Sequence, residues 1–131
     1  MKIKLNSIMV DSQDKALEFY TGVLGFRKSK DIPVGEFRWI TLVSPEGHAD
    51  VELALEPNAN PAGKTFQEAL FKQGIPATAF EVDDIKAEAR RLKKAGVKFT
   101  MDPTPAGPVQ IAVFADTCGN LIQIYQPPAS S

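Results

Sequence analysis

What this chain lacks sets the first limits on what it can be. Its 131 residues include one cysteine, Cys118, and one histidine, His48. A single cysteine makes no internal disulfide, so a reducing cytoplasm is the expected location. A zinc site built on Cys and His needs three or four such ligands. A Cys–His or Ser–His nucleophile pair would have to use His48 itself. There is no excess charge of either sign, with 15 basic against 16 acidic residues and a net charge of −1. A dedicated nucleic-acid binder needs a clear basic excess, so no nucleic-acid partner is expected. No apolar run approaches the roughly 18 residues of a membrane span, so no membrane partner is expected either. The opening MKIKLNSIMVDSQD has no sustained apolar core and no small-residue cleavage site, so a signal peptide is not indicated. No G-x-G-x-x-G or Walker-type loop is present.

What is there has a clear order. Residues 3–10 alternate loosely between apolar and polar and read as a strand. Ser12 can cap a helix whose apolar face is Ala16, Phe19, Tyr20, Val23 and Leu24, with Gly25 just past its end. Residues 25–31 and 36–43 read as strands with Pro33 and Gly35 between them, 44–49 as a turn and 50–55 as a fourth strand. The stretch EPNANPAG (56–63) marks a loop, and 61–72 make a short helix with Asn60 as its cap and Gly74 past its end. The pattern then restarts. Residues 77–82 read as a strand, Asp83 or Asp84 caps a helix with Ile85, Ala89 and Leu92 inward, and 97–101, 109–114 and 120–125 read as three more strands. The loop PTPAGP (103–108) separates the first two of these three.

This is an internal duplication. Val10-Asp11-Ser12 matches Val82-Asp83-Asp84, and residues 39–43 lie over 110–114. Continued without a gap, that alignment sets Glu52 opposite Gln123. The expected fold class is α+β, two tandem βαβββ modules in one 131-residue domain. Module 1 is 1–56, the linker and short helix 57–76, and module 2 is 77–127.

The segments VDSQDKALEFYTGVLGF (10–26), IPVGEFRWITLVSPEG (32–47), VDDIKAEARRLKKAGVKF (82–99) and VFADTCGNLIQIYQP (113–127) resemble the vicinal oxygen chelate superfamily. That superfamily comprises the glyoxalase, bleomycin resistance protein and dioxygenase types. The resemblance covers nearly the whole chain and implies that each module curves a mixed sheet into a half-barrel, two modules making a cup. It also implies metal-ligand places on the first and last strand of each module, which here hold Leu5 and Glu52, then Ala77 and Gln123. Leu5 and Ala77 have no ligating atom, and two protein oxygens are a poor cage for Zn²⁺, Ni²⁺ or Fe²⁺, though Mg²⁺ tolerates few protein ligands. No cofactor and no metal site are therefore expected, with a divalent cation the exception to test for.

The candidate ligand-binding residues are Leu5, Ser7, Met9, Phe37, Trp39, Glu52, Ala77, Gln123 and Tyr125. Glu52 is the candidate catalytic residue, or else a solvated or structural carboxylate. In apolar surroundings it needs a donor from Gln123, Arg38, Tyr125, water or ligand, or it stays protonated near neutral pH. Either Arg38 or its neighbours Phe37 and Trp39 look into the cup. His48 reads as a solvated loop residue and Cys118 as part of a tight turn. The expected function is binding of a small organic molecule in a metal-free cavity. The alternatives are a glyoxalase-type lyase or isomerase using Glu52 as base or weak metal ligand, and a structural dimer without ligand. A homodimer is expected because half-barrel sheets leave apolar faces that a single small chain covers poorly.

Overall fold

The computed structural model describes residues 1–129. The chain forms two compact units, Met1–Gln67 and Glu68–Ser131, so the division falls inside the helix that joins them.

In the first unit, β1 (Leu5–Val10) leads into α1 (Gln13–Glu18), which widens into a π-helical turn over Phe19–Val23. Three strands follow: β2 (Arg27–Val34), β3 (Phe37–Val43) and β4 (Glu52–Pro57). Their order in the sheet is β1-β4-β3-β2, with β1 and β4 parallel and the other pairs antiparallel. Ser12 caps α1 by accepting the Lys15 N–H at 3.2 Å. The face of the sheet under α1 is the core: Ile8, Val10, Ile40, Leu42 and Leu55 are buried with Ala16, Phe19 and Tyr20 of the helix. Tyr20 also stacks on Phe26, ring centroids 6.5 Å apart. Each such large apolar side chain contributes roughly 1.5–3 kcal/mol when fully buried.

Polar ties fix the helix onto this face. The Gln13 amide donates to the backbone carbonyls of Arg38 and Leu55 at 2.6 and 2.9 Å and accepts from the Arg38 N–H. The Arg38 guanidinium makes a two-pronged pair with Asp31 at 2.9 and 2.8 Å and also reaches Asp14 of α1. That guanidinium holds the Asp31 carboxyl down at about 2.

The second unit repeats the plan. β5 (Thr78–Glu81), α3 (Ile85–Lys94), β6 (Phe99–Ala106), β7 (Val109–Ala115) and β8 (Leu121–Gln126) form a sheet of order β5-β8-β7-β6. Asp84 is the residue that caps α3, accepting from the Ala87 N–H at 3.1 Å. Ile85, Ala89 and Leu92 are buried with Ala112, Phe114, Ile122 and Ile124. The joining helix α2 (Pro61–Gln73) begins on an Asn60 cap, whose carbonyl accepts from the Ala62 N–H. Buried Gln67 donates to the Met9 carbonyl and accepts from Asn58, tying the helix to β1. Gly63 lets it approach closely, since a Cβ there would lie 2.7 Å from the Met9 sulfur.

Both hairpins differ from the sequence expectation. Pro33 lies inside β2, paired with Arg38, and the turn is Gly35-Glu36, with Gly35 at φ 60°. The expected loop 103–108 is mostly strand, because β6 runs to Ala106 and Pro105 pairs with Gln110. β2 and β6 are edge strands, where a proline costs no ladder hydrogen bond on its free side. β4 also starts two residues later than expected, at Glu52.

The β7–β8 turn is held by Asp116. This fully buried carboxylate accepts from the N–H groups of Cys118 and Asn120 at 2.7 and 2.9 Å and from the Asn120 amide at 2.8 Å. Cys118 is buried in the same turn and His48 is exposed in its loop, as read from the sequence. Replacing Asp116 with Ala strands several buried donors and should cost about 3 kcal/mol, read as a shift of the urea midpoint at unchanged slope.

Candidate functional site

α1 and α3 each cover one face of their sheet. The other face of the first sheet is exposed over much of its area, with α2 reaching it at Met9, and strand alternation decides what stands on it. Thr41 donates to the Glu52 carboxylate at 2.8 Å, so the two share that face. Phe37 and Trp39 precede Thr41 by even steps on β3 and lie on it too, while Arg38 points to the helix side. On β1, Leu5 pairs with Glu52 and Ser7 with Ala54. On β2, Lys30 pairs with Thr41, Ile32 with Trp39 and Val34 with Phe37. Six expected site residues, Leu5, Ser7, Met9, Phe37, Trp39 and Glu52, thus stand on one surface.

That surface is largely apolar and exposed toward its edges, while Thr41 and Ala54 at its middle are buried and α2 packs on Met9 through Gly63. Leu5, Met9, Ile32, Val34 and Phe37 are between 37% and 60% exposed, high for large hydrophobic side chains. Trp39 is half-buried.

Glu52 is the polar centre of this face, and its donors are ones the sequence reading did not name. The Lys30 ammonium lies 2.6 Å from Oε1, and the Thr41 hydroxyl lies 2.8 Å from the same oxygen. The Lys30 hydrogen bond is the largest cause holding the carboxyl below its ordinary 4.5, Thr41 adds to it, burial opposes both, and the Ser29 hydroxyl helps. The expected donors were Gln123, Arg38, Tyr125, water or ligand, or else the acid would stay protonated; the side chains that donate are instead Lys30 and Thr41 of its own sheet, and they favour the ionised form. Hairpin arithmetic from a Gly35-Glu36 turn sets Lys30 opposite Thr41, whereas a turn at Pro33 ends β2 too early to reveal it. Ser29 is the extra residue of a β-bulge between Lys28 and Lys30.

In the second unit, Gln123 and Tyr125 are half-buried and share the face of β8 opposite Ile122 and Ile124. Ala77 lies just before β5, its N–H donating to the Leu121 carbonyl. The ungapped matching of Glu52 with Gln123 does not survive the strand register. Thr41 and Val113 are each the fifth residue of a seven-residue strand. Thr41 pairs with Ala54 and Val113 with Gln123, so Gln123 stands where Ala54 stands. β1 and β5 agree, since Ser7 pairs with Ala54 and Ala79 with Gln123. The reason is a shorter connection before the last strand in the second unit, residues 116–120 against 44–51 in the first.

Glu52→Gln keeps the shape and removes the charge. The variant should lose about 1 kcal/mol at pH 7, typical of a partly exposed ion pair. Because folding lowers this pKa, the stabilisation is full above the ordinary 4.5 and is lost as pH falls through the native value. The stability gap between wild type and Glu52→Gln should therefore hold from pH 7 to about 5 and close on further acidification, as read by denaturant midpoints at each pH.

Comparison with known proteins agrees with this architecture. The chain is 60% identical over 126 residues to the uncharacterized protein YurT of Bacillus subtilis (strain 168), covering 96% of this chain and 99% of the relative. The crystal structure of UcmS2 superposes with a TM-score of 0.82 at 30% identity, covering 95% of this chain and 97% of that one. TnmS3, an antibiotic binding protein from Streptomyces sp. CB03234, superposes with a TM-score of 0.77 at 27% identity, covering 97% and 96%. Residues 2–124 match the family model of the Glyoxalase/Bleomycin resistance protein/Dioxygenase superfamily, and on that match this chain belongs to it.

Proposed function

We propose that this protein binds a small organic molecule on the open face of its first sheet, without a metal, and that it does so as a homodimer in the cytoplasm. The observation that carries the reading is the partly exposed apolar surface around Trp39, with one buttressed ion pair on it. Apolar walls with a few placed polar groups are the usual make-up of a small-molecule site. The antibiotic binding of TnmS3, a relative with the same fold along nearly its whole length, supports the same kind of ligand here.

The donor set argues against a catalytic transition metal. Among the described residues, no three His, Cys, Asp or Glu side chains gather into a cation cage. Leu5, the register partner of Glu52, offers no ligating atom, and the Glu52 oxygen nearest the centre already carries an ammonium. These residues do not fit Zn²⁺, Ni²⁺ or Fe²⁺, which need several nitrogen, sulfur or carboxylate ligands. The same pairing disfavours Glu52 as a general base, because a carboxylate held below its ordinary pKa binds a proton weakly. The lyase or isomerase alternative is thereby the weaker one. Leu5, Met9, Ile32, Val34 and Phe37 also offer a face that a second copy of the chain would cover, closing it around a ligand.

The metal-stripped protein, heated with a panel of aromatic antibiotics and separately with divalent cations, should rise in melting temperature with some of the former and none of the latter. Stabilisation by nickel, zinc or iron that disappears in Glu52→Gln would overturn the metal-free reading. Sedimentation should give a dimer at micromolar concentration, and a monomer alone would overturn the assembly.

A further inference from the structure

Lys30 sits in an unusual place for a lysine. It is on an edge strand, where solvent is close, yet its side chain crosses β3 to reach Glu52 on β4. Its register partner on that face is Thr41, with Ile32 and Trp39 one step along and Leu5 beside Glu52, none of them charged. The carboxylate is satisfied: it accepts from Lys30 and Thr41, with Ser29 beside it. The ammonium is satisfied by the protein only in part and turns its other donors to solvent. It carries three N–H donors, and among the described residues its partner is Glu52 alone. Its side chain remains 46% exposed, against 20% for Glu52.

A saturated acceptor beside a half-used cationic donor, ringed by apolar side chains, is complementary to an acceptor on an apolar body. We propose that Lys30 is the specificity-determining residue of this face, selecting a flat aromatic ligand that carries an anionic oxygen, a carboxylate or phenolate. The ring lies on Trp39 and its apolar neighbours, and the oxygen takes the free N–H groups of Lys30 on the side away from Glu52. Glu52 then acts as a positioning residue that fixes the ammonium, with its own charge spread over Lys30, Thr41 and Ser29. This inference rests on the small-molecule reading above.

Trp39 is the sole tryptophan of the chain, so its emission reports occupancy of this face. The test compares three naphthalenes of equal body: 2-naphthoate, 2-naphthalenemethanol and 2-naphthylmethylammonium. Affinities are measured by calorimetry, and Trp39 emission is followed in parallel. Wild type should bind the naphthoate about tenfold tighter than the alcohol, the scale of one charge-assisted hydrogen bond, with the ammonium weakest. Lys30→Met should bring the naphthoate level with the alcohol, and Lys30→Arg should keep the preference. Equal binding of naphthoate and alcohol in wild type, tightest binding of the ammonium, or a preference that survives in Lys30→Met would each overturn the role of Lys30 while leaving the small-molecule reading standing. If Lys30→Met does not fold, Lys30→Gln and the wild-type order decide in the same way. No binding of any of the three, with Trp39 emission unchanged, would overturn this inference, while the melting-temperature panel decides the small-molecule reading separately.

Discussion

Everything on the open face depends on one pairing, the parallel match of the first strand of the module with its last. A parallel pair cannot be joined by a tight turn. The chain must leave β1, cross over through α1, lay down β2 and β3 as a hairpin, and come back between β1 and β3 as β4. That return places β4 inside the sheet, with Leu5 on one side of Glu52 and Thr41 close on the other. It also places the crossover helix on one face only. The opposite face is left without that helix, and whatever β2 carries inward at the level of Thr41 meets the Glu52 carboxylate.

Two ion pairs show how the faces differ. On the helix side, Arg38 answers Asp31 with two parallel hydrogen bonds and adds Asp14, a planar fork that ties strand to strand and strand to helix. Its donors are spent on structure. On the open side, Lys30 meets Glu52 with a single contact from a rotatable ammonium. Lysine has no fork to lock and keeps donors to spare. Both acids are driven below their ordinary pKa, yet one pair has spent its donors inside the fold and the other has a side turned to a ligand.

How much of this was legible in the sequence follows from the physics of each signal. Helical periodicity located α1, α2 and α3, with caps at Ser12 and Asn60 and at either Asp83 or Asp84, of which Asp84 is the cap, because capping is a local hydrogen bond readable from adjacent residues. The eight strands were legible as well, since alternation is local too. What failed were places where a nonlocal fact overrides a local one. Proline reads as a breaker, but at an edge strand its missing N–H faces no partner, so Pro33 and Pro105 stay in strands. The aromatic pair Phe37 and Trp39 left two orientations open, and packing of Gln13 and Asp31 on Arg38 settles which applies. Lys30 was missed because its partner is set by hairpin register, and a turn misplaced by two residues shifts that register.

The register also changes what the duplication means. An ungapped alignment makes Glu52 and Gln123 equivalents and suggests one polar residue per module in the same place. Pairing puts Gln123 at the level of Ala54, and a slip of two residues keeps the face while moving the position along the strand. The second module therefore has no carboxylate where the first has Glu52. Nor does it have a lysine opposite the fifth residue of its β7: Lys30 faces Thr41, while Met101 faces Val113. Both members of the ion pair are absent together from the second sheet, an apolar residue standing in place of the cation. A lone carboxylate on that apolar face would carry a desolvation cost without a partner, and a lone lysine would have nothing to anchor it. The two residues are thus one device, present in one copy of a repeated scaffold. The repeat supplies two sheets of the same strand order, and the Lys30–Glu52 pair stands on one of them.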